Sequence, residues 1–161
     1  HSLISGNTAG DDGGGFLANG STVNLRHVTV SRNRATDNGA GVSLTNGTQA
    51  VIENSAVVDN IANDDAGGID NQDSTVTVRD THVTRNMAIG PASVAGGLRS
   101  SGAASVVNLV NVKITENLAT NSQGGVQINA GAINVDHRTE VIANRPDNCL
   151  NSPVPVPTCF G

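Results

Sequence analysis

Short runs of alternating apolar and polar residues recur along the whole chain. The segments "TVNL" (22–25), "HVTV" (27–30) and "TVTV" (75–78) place an apolar residue at every second position, which is the period of a half-buried β-strand. Asn-Gly and Ser-Gly pairs, which favour turns, separate several of these runs. No segment sustains the 3.6-residue period of an amphipathic helix. The pattern therefore predicts an all-β chain of short strands.

The strand-like runs recur around an asparagine at a nearly fixed interval. Five segments align with one another, and a sixth is degenerate: "ISGNTA", "VSRNRA", "VVDNIA", "VTRNMA", "ITENLA" and "VIANRP". Their asparagines, separated by 26, 27, 26, 31 and 27 positions, are Asn7, Asn33, Asn60, Asn86, Asn117 and Asn144. A pair of small residues follows the first five, with glycine at Gly14, Gly15, Gly41, Gly67, Gly68, Gly96, Gly97, Gly124 and Gly125. Self-similarity at a fixed period indicates a solenoid.

Each repeat contains three strand-like segments in the same order. One lies before the asparagine, one after the small pair, and one after the next turn. This order predicts a parallel β-helix of about six coils over residues 1–145, with strands of successive coils paired at about 4.8 Å. Equivalent residues are then expected to stack into apolar ladders, one of Phe16, Val42, Ile69, Leu98 and Val126, and another of Ile4, Val30, Val57, Val83, Ile114 and Val141.

The repeated asparagines and glycines are interpreted as scaffold residues. A chain that turns sharply after a strand leaves backbone N–H and C=O groups without partners. An inward asparagine amide can bond those groups and the amide of the next coil, as in stacked asparagine ladders. The glycines are expected to adopt backbone conformations that other residues avoid, and to allow close approach of the chain.

Composition narrows the range of functions. The 161 residues include two phenylalanines and no tyrosine or tryptophan, so the core must be narrow. The net charge is −5, without the basic stripe that nucleic-acid binding requires. No apolar run reaches the length of a membrane-spanning helix. Nucleic-acid and membrane-spanning roles are therefore not expected.

The repeats resemble those of a known group of proteins. "VSRN…GAGV", "VVDN…GGI" and "ITEN…GGV" are similar to the repeats of polymorphic outer-membrane proteins and of other bacterial surface proteins with right-handed β-helix repeats. The ending "ANRPDNC…TC" resembles the terminal segment of such secreted proteins. The resemblance implies right-handed winding and a secreted or cell-surface location in a bacterium. The chain is then a mature processed protein or a fragment of a longer one.

Residues 146–161 are predicted to form a C-terminal cap. Pro146 and the segment "SPVPVP" (152–157) cannot donate ladder hydrogen bonds, so they stop further strand addition. Cys149 and Cys159 lie close together in this segment and are predicted to form a disulfide. That pair also favours an exported protein.

The sequence is compatible with two classes of function. The favoured one is a non-enzymatic structural or interaction protein, adhesin-like or an assembly subunit. The alternative is a carbohydrate-active or carbohydrate-binding β-helix of the pectin-degrading type, since glycosidic hydrolysis needs two positioned carboxylates. Asp11-Asp12 and Asp64-Asp65 are such pairs, but they fall in turns rather than on strands, and the chain lacks the Gly-His-Gly motif of polygalacturonases.

The acidic turns have two interpretations. In the repeat alignment Asp11, Asp37 and Asp64 stack, and so do Asp12, Asn38 and Asp65. Carboxylates at coil spacing repel one another unless a cation bridges them, and calcium accepts such oxygen ligands. Alternatively, these are ordinary solvated turns, in which aspartate is common. No other cofactor is expected.

The predicted partner surface is the N-terminal end of the solenoid. The chain begins inside a well-formed repeat, so Ile4, Phe16, Val23 and Leu25 are expected to face an open end. Open ends expose core side chains and unpaired strand edges. A protein partner or self-association is therefore expected at this uncapped face, with surface glycans as a further class of ligand.

Overall fold

The computed structural model describes residues 1–159, which form 21 short strands and no helix. The strands belong to four sheets, numbered here in the order in which the chain first reaches them. The first sheet contains β1 (Ser2–Ser5), β5 (Val28–Ser31), β9 (Ala56–Val58), β13 (His82–Thr84), β17 (Lys113–Thr115) and β21 (Glu140–Ile142). The second contains β2 (Thr8–Ala9), β6 (Arg34–Ala35), β10 (Ile61–Ala62), β14 (Met87–Ala88) and β18 (Leu118–Ala119).

The other two sheets complete each coil. The third contains β3 (Phe16–Asn19), β7 (Val42–Thr45), β11 (Ile69–Gln72), β15 (Leu98–Ser101) and β19 (Val126–Ile128). The fourth contains β4 (Thr22–Arg26), β8 (Gln49–Glu53), β12 (Thr75–Arg79), β16 (Val106–Val110) and β20 (Ala132–Val135). In residues 1–159 there is accordingly no helix long and apolar enough to cross a membrane.

Every strand pairs in parallel with the equivalent strand of the next coil. Val30, for example, lies opposite Ile4 on one side and Val57 on the other. The chain is thus a parallel β-helix, as predicted. The first sheet has six strands and the others have five, so five coils are complete and a sixth begins.

The structure contains one strand per coil that the sequence pattern does not reveal. The two residues after each of the first five repeated asparagines form the second sheet, so a coil has four strands rather than the predicted three. Two residues are too few to show the alternation by which a strand is recognised.

The strands of the first sheet also begin later than the pattern indicates. His27, Asn54 and Asn111 have φ values of 54°, 49° and 54°. This left-handed conformation is incompatible with a strand, so these residues form the corner between the fourth and first sheets. The strands start only after the corner.

The interior is a narrow column of aliphatic side chains. Val42, Ile69, Leu98 and Val126 form one fully buried ladder, and Phe16 is its half-buried first member. Val30, Val57, Val83 and Ile114 form the facing ladder, also buried. Flat stacking of residues of similar size leaves no space that would need a large aromatic ring.

The glycine pairs serve close approach, and the expectation that they adopt unusual conformations is wrong. None of the nine predicted glycines is among the residues with positive φ. A Cβ atom at Gly68 would lie 2.3 Å from the carbonyl oxygen of Gly97, and one at Gly124 would lie 2.0 Å from that of Arg145. Such distances cannot be accommodated without moving the backbone, so the missing side chain allows adjacent coils to pack.

The repeated asparagines form a continuous hydrogen-bonded ladder. Asn60 Nδ2 donates to Asn86 Oδ1 at 2.9 Å and to the carbonyl oxygen of Val30 at 3.1 Å. Its Oδ1 accepts from both the backbone N–H and the Nδ2 of Asn33, each at 3.0 Å. The buried amide therefore makes all four hydrogen bonds available to it.

Asn148 ends this ladder at the C-terminal side. Its Oδ1 accepts from the backbone N–H of Asn144 at 3.1 Å and from Asn144 Nδ2 at 3.0 Å. Asn148 thus takes the position that a seventh repeat would supply, although it follows Asn144 by only four residues. At the other end, Asn7 Nδ2 donates to Asn33 Oδ1 at 2.9 Å.

The C-terminal segment covers the end of the last coil. Val154 N–H donates to the carbonyl oxygen of Ile128 at 2.8 Å, and Ser152 Oγ accepts from Ile128 N–H at 2.8 Å. Val156 is buried against the core, and a disulfide joins Cys149 to Cys159. Of the predicted cap, 146–161, Phe160 and Gly161 lie outside the described residues.

We expect Asn60→Ala to lower the free energy of unfolding by about 1–3 kcal/mol, because it leaves backbone and amide groups of Val30, Asn33 and Asn86 without partners. Thermal and urea melts measure the change. Asn63→Ala is the control, since that side chain is exposed and makes no hydrogen bond in the described chain. Equal effects of the two substitutions would contradict a stabilising role for the ladder.

Candidate functional site

The acidic turn connects the second sheet to the third and repeats in the first three coils. Asp37 N–H donates to the carbonyl oxygen of Asp11 at 3.4 Å, and Asp64 N–H donates to that of Asp37 at 3.2 Å. These three residues therefore lie in one column, as the alignment predicts. Asp12, Asn38 and Asp65 form the next column.

The side chains of the second column accept hydrogen bonds from backbone N–H groups, a role that the sequence does not predict. Asp12 Oδ1 accepts from Asn38 N–H at 2.8 Å, and Asn38 Oδ1 accepts from Asp65 N–H at 3.0 Å. Asp65 Oδ1 then accepts from Val94 N–H at 2.7 Å. Each side chain satisfies a corner N–H group in the following coil, whereas each asparagine of the ladder satisfies one in the preceding coil.

Three of the five predicted calcium ligands come together. One carboxylate oxygen from each of Asp11, Asp12 and Asp37 lies within 4.8 Å of the others. Burial raises the pKa of Asp37 above its ordinary 3.8, and the charges of Asp12, Asp64 and Asp11 raise it further. A divalent cation would relieve this repulsion and would find carboxylate oxygens, its preferred ligands. Calcium binding here stays a prediction.

Asp65 lies outside that group and is paired with an arginine two coils from the cluster. Arg99 donates through Nη1 to Asp65 Oδ2, and through Nε and Nη2 to the two carboxylate oxygens of Asp70 at 2.8 and 3.1 Å. Asp70 is 1% exposed. Burial raises the pKa of Asp70, and the Arg99 guanidinium opposes that rise. Nothing in the repeat pattern foretells this buried network, because Arg99 occupies a column that holds Leu17, Ser43 and Gln127 in other coils.

The strands β1 to β4 form the N-terminal edge of the four sheets. The residues expected at an open face are only partly accessible there: Ile4, Phe16 and Val23 are half-buried and Leu25 is buried, all packed on the core. Leu3 and Leu17, which are 67% and 54% exposed, face outward from this edge. Association through this face stays a prediction.

Comparison with known proteins agrees with the fold. The family model described as a right handed beta helix region matches residues 1–144. The chain therefore belongs to the right-handed β-helix family. No curated protein and no solved structure shows significant similarity to it. Because this fold carries both enzymes and non-enzymes, the family alone does not assign an activity.

We expect Arg99→Met to cost about 3–5 kcal/mol, because it leaves the Asp70 carboxylate buried without a partner. Lys113→Met is the matched control. Lys113 pairs with Glu140 at 3.7 Å on the surface, where such a pair contributes about 0–1 kcal/mol. Urea unfolding of both variants measures the difference. Equal losses of unfolding free energy in the two variants would contradict the claim that the buried Arg99–Asp70 pair stabilises the fold more than a surface pair does.

The raised pKa of Asp37 predicts a pH-dependent stability. The folded chain binds the Asp37 proton more tightly than the unfolded chain, so protonation stabilises the fold below the ordinary pKa. That contribution is lost as pH rises through the raised pKa. Asp37→Asn is therefore expected to melt above the wild type at about pH 7 and close to it at about pH 3.

Calcium chloride distinguishes the two interpretations of the same turn. If the turn binds the cation, millimolar calcium raises the melting temperature of the wild type but not that of Asp37→Asn. If the turn is merely solvated, both proteins respond alike. An Asp37→Asn variant that melts below the wild type at neutral pH would contradict the repulsion itself.

Proposed function

We propose that the chain is a rigid, non-enzymatic structural or interaction module of a secreted or cell-surface bacterial protein. In this role the solenoid holds surfaces at a fixed distance and orientation, either as an adhesin-like segment or as an assembly subunit. Its partners are proteins or surface glycans.

The observation that carries this proposal is where the repeated residues lie. The asparagines and glycines that recur from coil to coil are used for stacking the coils. Asn33, Asn60, Asn86 and Asn117 are at most 1% exposed. Outward positions, in contrast, change from coil to coil: the column that begins with Leu3 continues with Thr29, Ala56, His82, Lys113 and Glu140. The repeat therefore encodes a rod rather than a reactive group.

Two features support a location outside the cell. The Cys149–Cys159 disulfide is compatible with an oxidising environment. The repeats also resemble those of bacterial surface proteins, in which β-helices are exported.

One observation favours carbohydrate chemistry as a second candidate. Asp11, Asp12 and Asp37 bring carboxylates together, and the pKa of one of them is raised. Glycosidases use such a pair, with one carboxyl protonated and one ionised. However, Asp12 Oδ1 is already bonded to Asn38 N–H, and the cluster lies in a turn.

A polysaccharide assay separates the two candidates. We expect that incubation with polygalacturonate, with and without calcium, releases no reducing ends above a heat-denatured control. Release that is lost in both Asp12→Asn and Asp37→Asn would replace the structural proposal with the carbohydrate-active one. Melting curves of both variants confirm that any loss is not caused by unfolding.

A further inference from the structure

An apolar band with an arginine at each end runs along the outside of the asparagine corner. The residues that follow the asparagines are in register from coil to coil: Arg34, Ile61, Met87, Leu118 and Arg145. The three apolar side chains are half-buried, and both arginines are exposed. Four coil steps separate Arg34 from Arg145, or about 19 Å.

A charged column faces this band across the corner. The residues that precede the asparagines are Arg32, Asp59, Arg85 and Glu116, all with positive φ. Arg85 donates to both carboxylate oxygens of Asp59, at 2.8 and 3.2 Å. The left-handed turn at each position directs the chain around the corner, so the two columns form the sides of a groove with the asparagine ladder between them.

Two cavities lie along this groove. A cavity of about 460 Å³ is bounded by both columns from Arg85 and Met87 to Ala143 and Arg145. A second, of about 260 Å³, is bounded by Arg32, Arg34, Asp59 and Ile61. Asp59 bounds the second cavity, Arg85 bounds the first, and an ion pair joins the two residues, so the cavities follow one another along the rod axis from the second coil to the sixth.

The side chains that bound the groove carry a net positive charge, although the net charge of the whole chain is negative. Four arginines and two acidic residues bound it, whereas the whole chain carries a net charge of −5. Arg85 is paired with Asp59. Within residues 1–159, Arg32, Arg34 and Arg145 have no carboxylate partner. The two ends of the apolar band therefore present unneutralised guanidinium groups, which favour carboxylates in geometry and charge.

We infer that this groove binds an extended peptide segment of a protein partner, lying along the rod axis, with aliphatic side chains between two acidic residues. An extended chain advances about 3.3 Å per residue, so six steps span the separation of Arg34 and Arg145. Alternate side chains of such a segment face the groove. The acidic residues of the peptide pair with Arg34 and Arg145. Its aliphatic residues pack on Ile61, Met87 and Leu118.

The lining favours a peptide over a glycan. Sugar rings bind by stacking on aromatic faces, and the residues that bound the two cavities include no aromatic side chain. Met87 is unbranched and polarisable, and such side chains adapt to aliphatic partners.

The inference rests on the proposed function and adds to it the surface that binds the partner. The polysaccharide assay and a peptide titration can fail independently, because one detects catalysis and the other detects occupancy of this groove.

The test uses a fluorescein-labelled heptapeptide with aspartate at its first and last positions, leucine at its third and fifth, and threonine elsewhere. We expect saturable binding by fluorescence anisotropy that weakens as salt is added. Replacing both aspartates by lysine, or both leucines by serine, is expected to abolish it. In the protein, Arg34→Gln combined with Arg145→Gln is expected to weaken binding roughly tenfold or more.

Arg138→Gln is the matched control, because Arg138 is an exposed arginine that pairs with Asp136 away from the groove. It is expected to bind the peptide as the wild type does. Unchanged melting curves show that the double variant is folded. Absence of peptide binding by the wild type, or equal binding by the double variant, would overturn the inference. So would binding of oligogalacturonate, lost in the double variant, in place of the peptide.

Discussion

The rest of the structure depends on how the chain satisfies its backbone hydrogen bonds at the corners of each coil. A parallel β-helix must turn several times per coil, and at each turn a residue with positive φ interrupts the strand ladder. A buried N–H group left without a partner at such a point costs about 1–3 kcal/mol. The chain avoids this cost by stacking polar side chains at the corners, each of which accepts a hydrogen bond from a backbone N–H group of an adjacent coil.

Different corners use different side chains for this one task. Asparagine serves between the first and second sheets, and aspartate or asparagine between the second and third. Hydroxyls serve elsewhere: Ser55 Oγ accepts from Val28 N–H at 3.1 Å, and Ser74 Oγ accepts from Thr48 N–H at 3.1 Å. Much of the polar chemistry in this sequence is therefore committed to the scaffold. What remains free for recognition is the set of outward-facing side chains, which vary between coils.

The sequence predicts those features that depend on spacing along the chain. The period, the apolar ladders and the asparagine ladder follow from residues that recur at fixed positions, and the close approach at Gly68 follows from the same repeat. Features that leave no mark in this spacing are not predicted. The two-residue strands are too short to show a pattern, Asn148 caps the ladder outside the repeat, and Arg99 meets Asp65 and Asp70 only because the coils stack. The left-handed corners were assigned to glycine, yet His27 and Asp59 adopt them because the next coil holds their backbone in place.

Amide hydrogen exchange, followed by NMR, tests the corner constraint most directly. The backbone N–H groups of Asn33, Asn60, Asn86 and Asn117 lie at turns, where exchange is ordinarily fast, but each donates to the side chain of the next asparagine at 2.9–3.1 Å. These four amides are predicted to exchange as slowly as those of the buried strand residues Val57 and Ile69. Exchange as fast as that of the exposed turn residue Gly10 would contradict the claim that the asparagine ladder closes the corners.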